Sequence, residues 1–261
     1  MTYFDYHNFV ISYALAAARI GAAFMICPAL TDSMISGTAR RVAVLAFATL
    51  VQPVVMAAMP PEGIGVFALA VLAFKEVFIG LLIGFFGAIP FWIAENVGNF
   101  IDNQRGATMG EVYSPLSGAQ VSSTGIFMTQ IVSVLFFVSG AIFLFLAVIY
   151  ESFSLWPVFS PALVFQSGAP SFMLSTLDSM MQSAFVIAAP AVILMFLCTI
   201  GLGFVNRTAP QLNVFFLSMP IKSALGIAIL VVYLPFVMDM LIYTEEKEIL
   251  TPVRKVIDAT R

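Results

Sequence analysis

Long apolar blocks separated by short polar intervals dominate the pattern of this chain. About 20 apolar helical residues cross the hydrocarbon core of a membrane, and each block is near or above that length. The pattern therefore predicts an all-α membrane protein with about six apolar segments. The blocks are Phe9–Leu30, Val42–Met59, Ile64–Trp92, Ile126–Ile149, Ala184–Phe204 and Phe215–Tyr243.

Two blocks differ from the others in regularity. Ile64–Trp92 carries Lys75 and Glu76 near its centre, so we expect it to be either steeply tilted or broken. It also contains Gly80 and Gly84 at a spacing that lets two helix backbones approach closely, although the spacing does not identify the partner helix. Ile126–Ile149 has no charged residue and is predicted to be the cleanest single span.

A polar interval, Glu95 to Thr124, separates the third and fourth blocks. It is rich in Gly, Ser, Thr, Asn and Gln and contains Pro115, which disfavours a continuous helix. Long connections without secondary structure are usually functional or disordered. The alternative is an ordinary solvated loop at the membrane surface. The pattern favours a segment that the helices hold over, or inside, a passage.

Composition supports the membrane interpretation and excludes several classes. The chain is 61% hydrophobic and 10% charged, whereas soluble domains carry roughly 25% charged residues. Its net charge is −3 with no basic patch, which argues against a nucleic-acid partner. The two cysteines, Cys27 and Cys198, show neither a disulfide framework nor the spacing of metal ligands.

Charged residues inside the apolar blocks are the main anomaly. A charge at the centre of a membrane helix costs about 2.5–3.5 kcal/mol on insertion scales. Such charges fit either an ion relay in a transporter or pairing between helices of a larger assembly. Since neighbouring helical residues point about 100° apart, we expect Lys75 and Glu76 not to pair with each other. Each would then need a partner elsewhere, which favours the assembly. The charges are Arg19, Lys75, Glu76, Lys222 and Asp239.

Catalytic signatures are not apparent in the sequence. The single histidine, His7, precedes the first block and has no second histidine with which to form a familiar catalytic arrangement. No nucleophile elbow, phosphate-binding loop or dinucleotide-binding turn occurs. We therefore expect a protein that is not an enzyme and has no cofactor, no catalytic residue and no metal site.

Lysine and arginine positions predict the orientation. Polar intervals with basic residues alternate with intervals that have none; the basic ones contain Arg40–Arg41, Arg105 and Arg207. Because basic residues prefer the cytoplasmic side of a membrane, this alternation places the N-terminus outside and the Arg105 loop in the cytoplasm. Six crossings would leave the tail, 244–261, outside, yet it carries four basic residues and is predicted to be cytoplasmic. We therefore expect that Ile64–Trp92 or Phe215–Tyr243 is not a single crossing.

Three stretches together resemble the FliR/SpaR/SctT family, the export-gate subunit of type III secretion systems and flagella. DNQRGA, Asp102 to Ala107, resembles the virulence branch more than the flagellar one, whereas APQLNVF, Ala209 to Phe215, resembles both. The resemblance covers nearly the whole chain. The three stretches are ARIGAAFMICPALTDSMISGTARRVAVLAFATLVQP, IDNQRGATMGEVYSPLSG and GLGFVNRTAPQLNVFFLSMPIKSALG.

The resemblance implies a multi-pass subunit of the bacterial inner membrane, built of kinked helical hairpins within a helical export-gate assembly. It implies two other small membrane subunits, an export switch protein and unfolded exported proteins as partners. The function implied is forming and closing a protein-conducting channel. The resemblance implies a plug loop with Gly106, Met109, Val112, Tyr113 and Leu116, and Phe215 and Phe216 are candidates for a constriction. From their spacing of three, Asp102 and Arg105 are predicted to share a helix face and to brace the start of the loop. The charges inside the apolar blocks predict buried inter-helix contacts at Arg19, Lys75, Glu76 and Lys222.

Four parts are expected along the chain: an N-terminal helical part, 1–149, with the plug loop at 95–124; a proline- and aromatic-rich connection, 150–183; a helical hairpin, 184–243; and a charged tail, 244–261. Two alternatives stay open. One is a multi-pass ion or small-solute transporter, and the other is an assembly scaffold that does not line a passage.

Overall fold

The computed structural model describes residues 3–31, 34–61, 64–106, 122–160, 169–209, 211 and 213–245. These residues form seven α-helices and one short 3-10 turn, with no strand among them, so the all-α prediction is confirmed. The helices are α1, Tyr3–Ile26; α2, Gly37–Ala57; α3, Val66–Arg105; α4, Ser123–Val138; α5, Ala141–Leu155; α6, Ala169–Thr208; and α7, Val214–Glu245.

The described helices include four that are long and apolar enough to cross a membrane. They are α1, α2, α3 and α6, and α4 with α5 provides a fifth span if the bent pair is one crossing. Helix α7 is 32 residues long and contains Pro220 and Pro235. The chain is therefore a multi-pass membrane protein.

Helix α3 excludes one of the two expectations for the third block, a break in the helix. It runs unbroken for 40 residues, with Lys75, Glu76 and Pro90 all inside it. It also continues past Trp92 to Arg105, so the first part of the polar interval is helical. Since α4 begins at Ser123, the connection between the two helices comprises 106–122, of which the structure describes Gly106 and Ser122.

The fourth block, Ile126–Ile149, was predicted to be the cleanest single span, but it does not form one regular helix. Helices α4 and α5 meet at Ser139 and Gly140 with a bend of 74°. Gly140 has a φ of +80°, in the left-handed region that glycine adopts with little steric cost. A single glycine therefore supplies the backbone conformation of the bend, even though the residues on both sides are apolar.

The predicted connection, 150–183, is helical at both ends. Helix α5 continues to Leu155, and α6 already begins at Ala169. The fifth block therefore forms only part of a helix that is 40 residues long.

Backbone contacts divide the chain into two compact units. The first contains described residues of 1–89 and 135–170. In its core the rings of Phe24 and Phe145 lie 6.3 Å apart between centroids, and those of Phe136 and Phe145 lie 6.2 Å apart. Helix α1 lies against α3 at the two spaced glycines. A Cβ at Gly80 would overlap the carbonyl oxygen of Arg19, and one at Gly84 would lie 2.7 Å from that of Ala23.

The second unit contains described residues of 90–134 and 171–245. Gly98 of α3 lies against Gly125 of α4 so closely that a Cβ at Gly98 would overlap the backbone of Gly125. The rings of Phe100 and Phe185 pack edge to face at 6.0 Å between centroids. The contact between Gly98 and Gly125 places the C-terminal end of α3 beside the start of α4.

Candidate functional site

A buried charge cluster of Arg19, Lys75 and Glu76 lies in the first unit. Arg19 Nε donates to Glu76 Oε2 at 2.6 Å, and both side chains are fully buried. Because Arg19 is on α1 and Glu76 is on α3, this ion pair joins the two helices close to the Gly80 contact. A buried pair of this kind is tolerated only when its remaining polar atoms are also satisfied.

The other nitrogens of Arg19 reach the end of α5. Nη1 donates to Ser152 Oγ at 3.0 Å, and Nη2 donates to the carbonyl oxygen of Trp156 at 2.8 Å. The guanidinium group also lies 4.0 Å from the centre of the Phe153 ring, a favourable position for a cation. A planar group with five donors can make all these contacts at once, which a lysine cannot.

Lys75 holds the segment that follows α5. Its Nζ donates to the carbonyl oxygens of Pro157, Val158 and Ser160 at 2.8, 2.6 and 2.9 Å. It also lies 3.0 Å from Glu76 Oε1. The expectation that Lys75 and Glu76 cannot pair is therefore wrong, because their long side chains converge even though the two Cα–Cβ bonds diverge.

All these partners belong to the same chain. The inference that Arg19, Lys75 and Glu76 need neighbouring subunits to satisfy their charges is therefore wrong. Lys222 differs, because it is only partly buried on α7 and has no hydrogen-bond or ion-pair partner among the described residues. It was predicted to be buried, and within this chain it is not. The side chain of Asp239 lies outside the described residues.

A second polar site lies at the base of the 106–122 connection. Asp102, which is 2% exposed, accepts hydrogen bonds at Oδ2 from Ser122 Oγ at 2.7 Å and from the backbone N–H of Thr124 at 3.0 Å. Its Oδ1 lies 2.9 Å from Arg105 Nε. Asp102 and Arg105, predicted to form a brace, are thus in contact, and Asp102 also reaches the following helix.

Ser122 caps the start of α4. Its Oγ accepts a hydrogen bond from the backbone N–H of Gly125 at 2.8 Å, the usual function of a serine before the first turn. The backbone N–H groups of the first turn of a helix have no partner inside the helix. Ser122 accepts a hydrogen bond from one of them in α4, and Asp102 accepts from another.

The structure describes the predicted plug and constriction residues only in part. Gly106 has a φ of +80° where α3 ends. Met109, Val112, Tyr113 and Leu116 lie outside the described residues, as does the side chain of Phe215. Phe216 is on α7 and is 68% exposed.

Sequence reasoning missed Ser122, Ser152 and the pair of Gly98 and Gly125. A serine before an apolar run is a weak signal for Ser122 as a helix cap. No signal in the sequence indicates that Asp102 would be the second cap, because that contact depends on how α3 and α4 pack. The carbonyl partners of Lys75 are backbone atoms and leave no mark on the sequence.

Residues 10–246 match the family described as "Bacterial export proteins, family 1". The chain belongs to this family. The match includes both polar sites described above and every described helix except the first residues of α1.

The names of the relatives refer to translocation, surface presentation of antigens and flagellar biosynthesis. It is 38% identical over 226 residues to "Yop proteins translocation protein T" of Yersinia pestis, with 86% of each chain covered. It is 30% identical over 233 residues to "Surface presentation of antigens protein SpaR" of Salmonella typhimurium, with 88% of this chain and 86% of that one covered. It is 34% identical over 162 residues to "Flagellar biosynthetic protein FliR" of Bacillus subtilis, with 62% of each covered. The resemblance stated from the sequence is confirmed.

Proposed function

We propose that this chain is an inner-membrane subunit of a type III secretion export gate and that it helps to form and close a protein-conducting channel. The observation that carries the proposal is the base of the 106–122 connection, where packed helices hold both ends of a polar segment. Membership of the export family, and relatives named for translocation and flagellar biosynthesis, support the same role.

In this proposal the segment from Gly106 to Thr124 acts as the plug of the resting channel. Met109, Val112, Tyr113 and Leu116 supply apolar side chains to fill a narrow passage, and burial of a large one contributes about 1.5–3 kcal/mol. A closure of this strength seals against ions and is displaced by an entering polypeptide. Phe215 and Phe216 are proposed to contribute a constriction.

The proposed partners are other components of the secretion apparatus: two small membrane subunits of the gate, an export switch protein and, transiently, unfolded exported proteins. This role is not enzymatic. The transporter alternative is less well supported, because a relay needs titratable groups that face water. Arg19, Lys75 and Glu76 instead contact one another and backbone carbonyls in a buried cluster.

Deletion of Met109 to Leu116 tests the proposal. The change is expected to leave the complex assembled, because the contacts that join α3 to α4 at Gly98 and Asp102 lie outside the deleted residues. It is expected to make the inner membrane permeable to small solutes when the complex is overproduced. Assembly is measured by co-purification of the partner subunits, and permeability by uptake of a small impermeant dye.

Two substitutions in the same segment serve as controls. Glu111→Gln and Ser114→Ala change polar side chains that the proposal does not use, and both variants are expected to keep the seal. If the deletion variant assembles, secretes normally and stays impermeable, the segment is not the plug.

A further inference from the structure

We propose that Asp102 is a positioning residue that holds the end of α3 to the start of α4, and that it acts by capping α4 rather than by pairing with Arg105. The contact of Asp102 with the two helix ends does not depend on whether the chain forms a channel. An effect of Asp102 on how well the plug seals the channel rests on the proposed function.

The directional hydrogen bonds of Asp102 go to α4. Oδ2 accepts from Ser122 Oγ and from the Thr124 N–H, at 2.7 and 3.0 Å. Both donors belong to the first turn of α4 or its cap, whereas Asp102 is 20 residues earlier on α3. A carboxylate is well suited to this position, because the N-terminal end of a helix carries a partial positive charge.

The contact with Arg105 has a different character. Nε lies 2.9 Å from Oδ1, but its N–H is not aligned for a hydrogen bond. Both residues also belong to α3, three positions apart, so their ion pair ties that helix only to itself. It cannot hold two helices together.

Close backbone packing brings the carboxylate to the start of α4. Gly98 packs against the backbone of Gly125, and a Cβ at Gly125 would lie 3.1 Å from the carbonyl oxygen of Glu95. Glu95, Gly98 and Asp102 follow one another at spacings of three and four, so they lie on one face of α3. With no side chain at Gly98, α4 starts within reach of the short aspartate one turn further along.

One carboxylate therefore holds the two ends between which the 106–122 connection runs. Helix α3 ends at Arg105 and α4 begins at Ser123. Loss of Asp102 would free both ends together, whereas loss of Arg105 would leave the contact between the helices intact.

Hydrogen exchange in the full-length chain, assembled with its natural partner subunits, measures the cap directly. Asp102→Ala is expected to speed amide exchange in the first turn of α4 by about fivefold, the factor that a typical lost helix cap represents. Arg105→Gln is the matched control and is expected to leave that exchange unchanged. A distance measurement between spin labels at Asn103→Cys and Ser123→Cys, both exposed positions, is expected to broaden only in the Asp102→Ala protein. The two native cysteines are replaced for this measurement.

The charge-swapped double variant, Asp102→Arg with Arg105→Asp, separates the two explanations. It restores an ion pair within α3 but offers no acceptor at position 102 to the Thr124 N–H. We expect it to exchange as fast as Asp102→Ala, whereas Asp102→Asn, which keeps an acceptor oxygen, is expected to restore most of the protection. Restoration by the swap, or none by Asp102→Asn, would overturn the proposal even if the alanine variant fails to accumulate.

Dye uptake through assembled complexes provides a readout that a purely structural effect on folding would not change. Asp102→Ala is expected to leak and Asp102→Asn to leak less, at equal recovery of partner subunits. If the Met109–Leu116 deletion does not leak while Asp102→Ala still speeds exchange, the plug function fails and the positioning role of Asp102 stands. If the deletion leaks while Asp102→Ala leaves exchange unchanged, the positioning role fails.

Discussion

At the residue scale, Glu76 balances the charge of the buried cluster. It contacts Arg19 through one carboxylate oxygen and Lys75 through the other, at 2.6 and 3.0 Å. Without its charge, two buried cations would face a neutral side chain. Removing one member of a buried ion pair is strongly destabilising because it leaves an uncompensated charge.

Glu76→Gln is therefore expected to destabilise the protein by about 3–5 kcal/mol. The measurement is thermal unfolding of the purified complex in detergent, together with the amount that accumulates in membranes. Arg41→Gln, which removes an exposed charge on α2, is the control and is expected to stay within about 0.5 kcal/mol of the parent. Equal unfolding temperatures for the two variants would mean that the cluster contributes little to stability.

At the scale of the elements, the crossing of α1 and α3 is fixed by glycine. A Cβ at Gly80 would overlap the Arg19 carbonyl oxygen and lie 2.8 Å from the Ala22 Cβ. Because both obstacles are on or next to the backbone of α1, neither can rotate away. The helices would have to separate, and the ion pair between Arg19 and Glu76 would lengthen with them.

Gly80→Ala is accordingly expected to lower the unfolding temperature of the complex, despite the higher helix propensity of alanine. Gly201→Ala offers a matched control, because Gly201 is also helical and has nothing within 4 Å of its Cβ position. That change is expected to be neutral or to stabilise α6 by up to about 1 kcal/mol. An equal or higher unfolding temperature for Gly80→Ala would show that α1 and α3 accommodate the added methyl group.

The limits of prediction from the sequence also become visible at this scale. The lengths of the apolar blocks predicted most of the helices, and the spacing of Gly80 and Gly84 predicted a close helix contact. Both features can be seen in a short stretch of the sequence. The bend at Gly140 was missed, since a single glycine between uncharged apolar runs looks like any other membrane glycine. The partners of Lys75 were missed because they are carbonyl groups brought near by the fold.

At the scale of the whole molecule, the number of crossings decides where the tail lies. Helices α1, α2, α3 and α6, with α4 and α5 as one bent span, give five crossings by length and composition. Starting outside, this count places Arg40–Arg41, Arg105, Arg207 and the tail all in the cytoplasm, in agreement with the preference of basic residues for that side. Six crossings would put the basic tail outside, against this preference. That conflict disappears if α7 does not cross the membrane.

Helix α7 is therefore predicted to return to the cytoplasmic side. It is long enough to cross, with 32 residues, but Pro220 and Pro235 lie inside it, and a proline inside a helix favours a kink. Together with the basic residues of the tail, this favours a bent helix with both ends on the cytoplasmic side. Cysteines placed at Gln211 and Thr260, with Cys27 and Cys198 replaced, are expected to react with an impermeant reagent only after the cytoplasmic side is opened. A cysteine at Pro61, which is exposed in the turn between α2 and α3, is the control and is expected to react from the periplasm in intact cells. Labelling of Thr260→Cys from the periplasm, with Gln211→Cys still protected, would show that α7 crosses and that the tail lies outside.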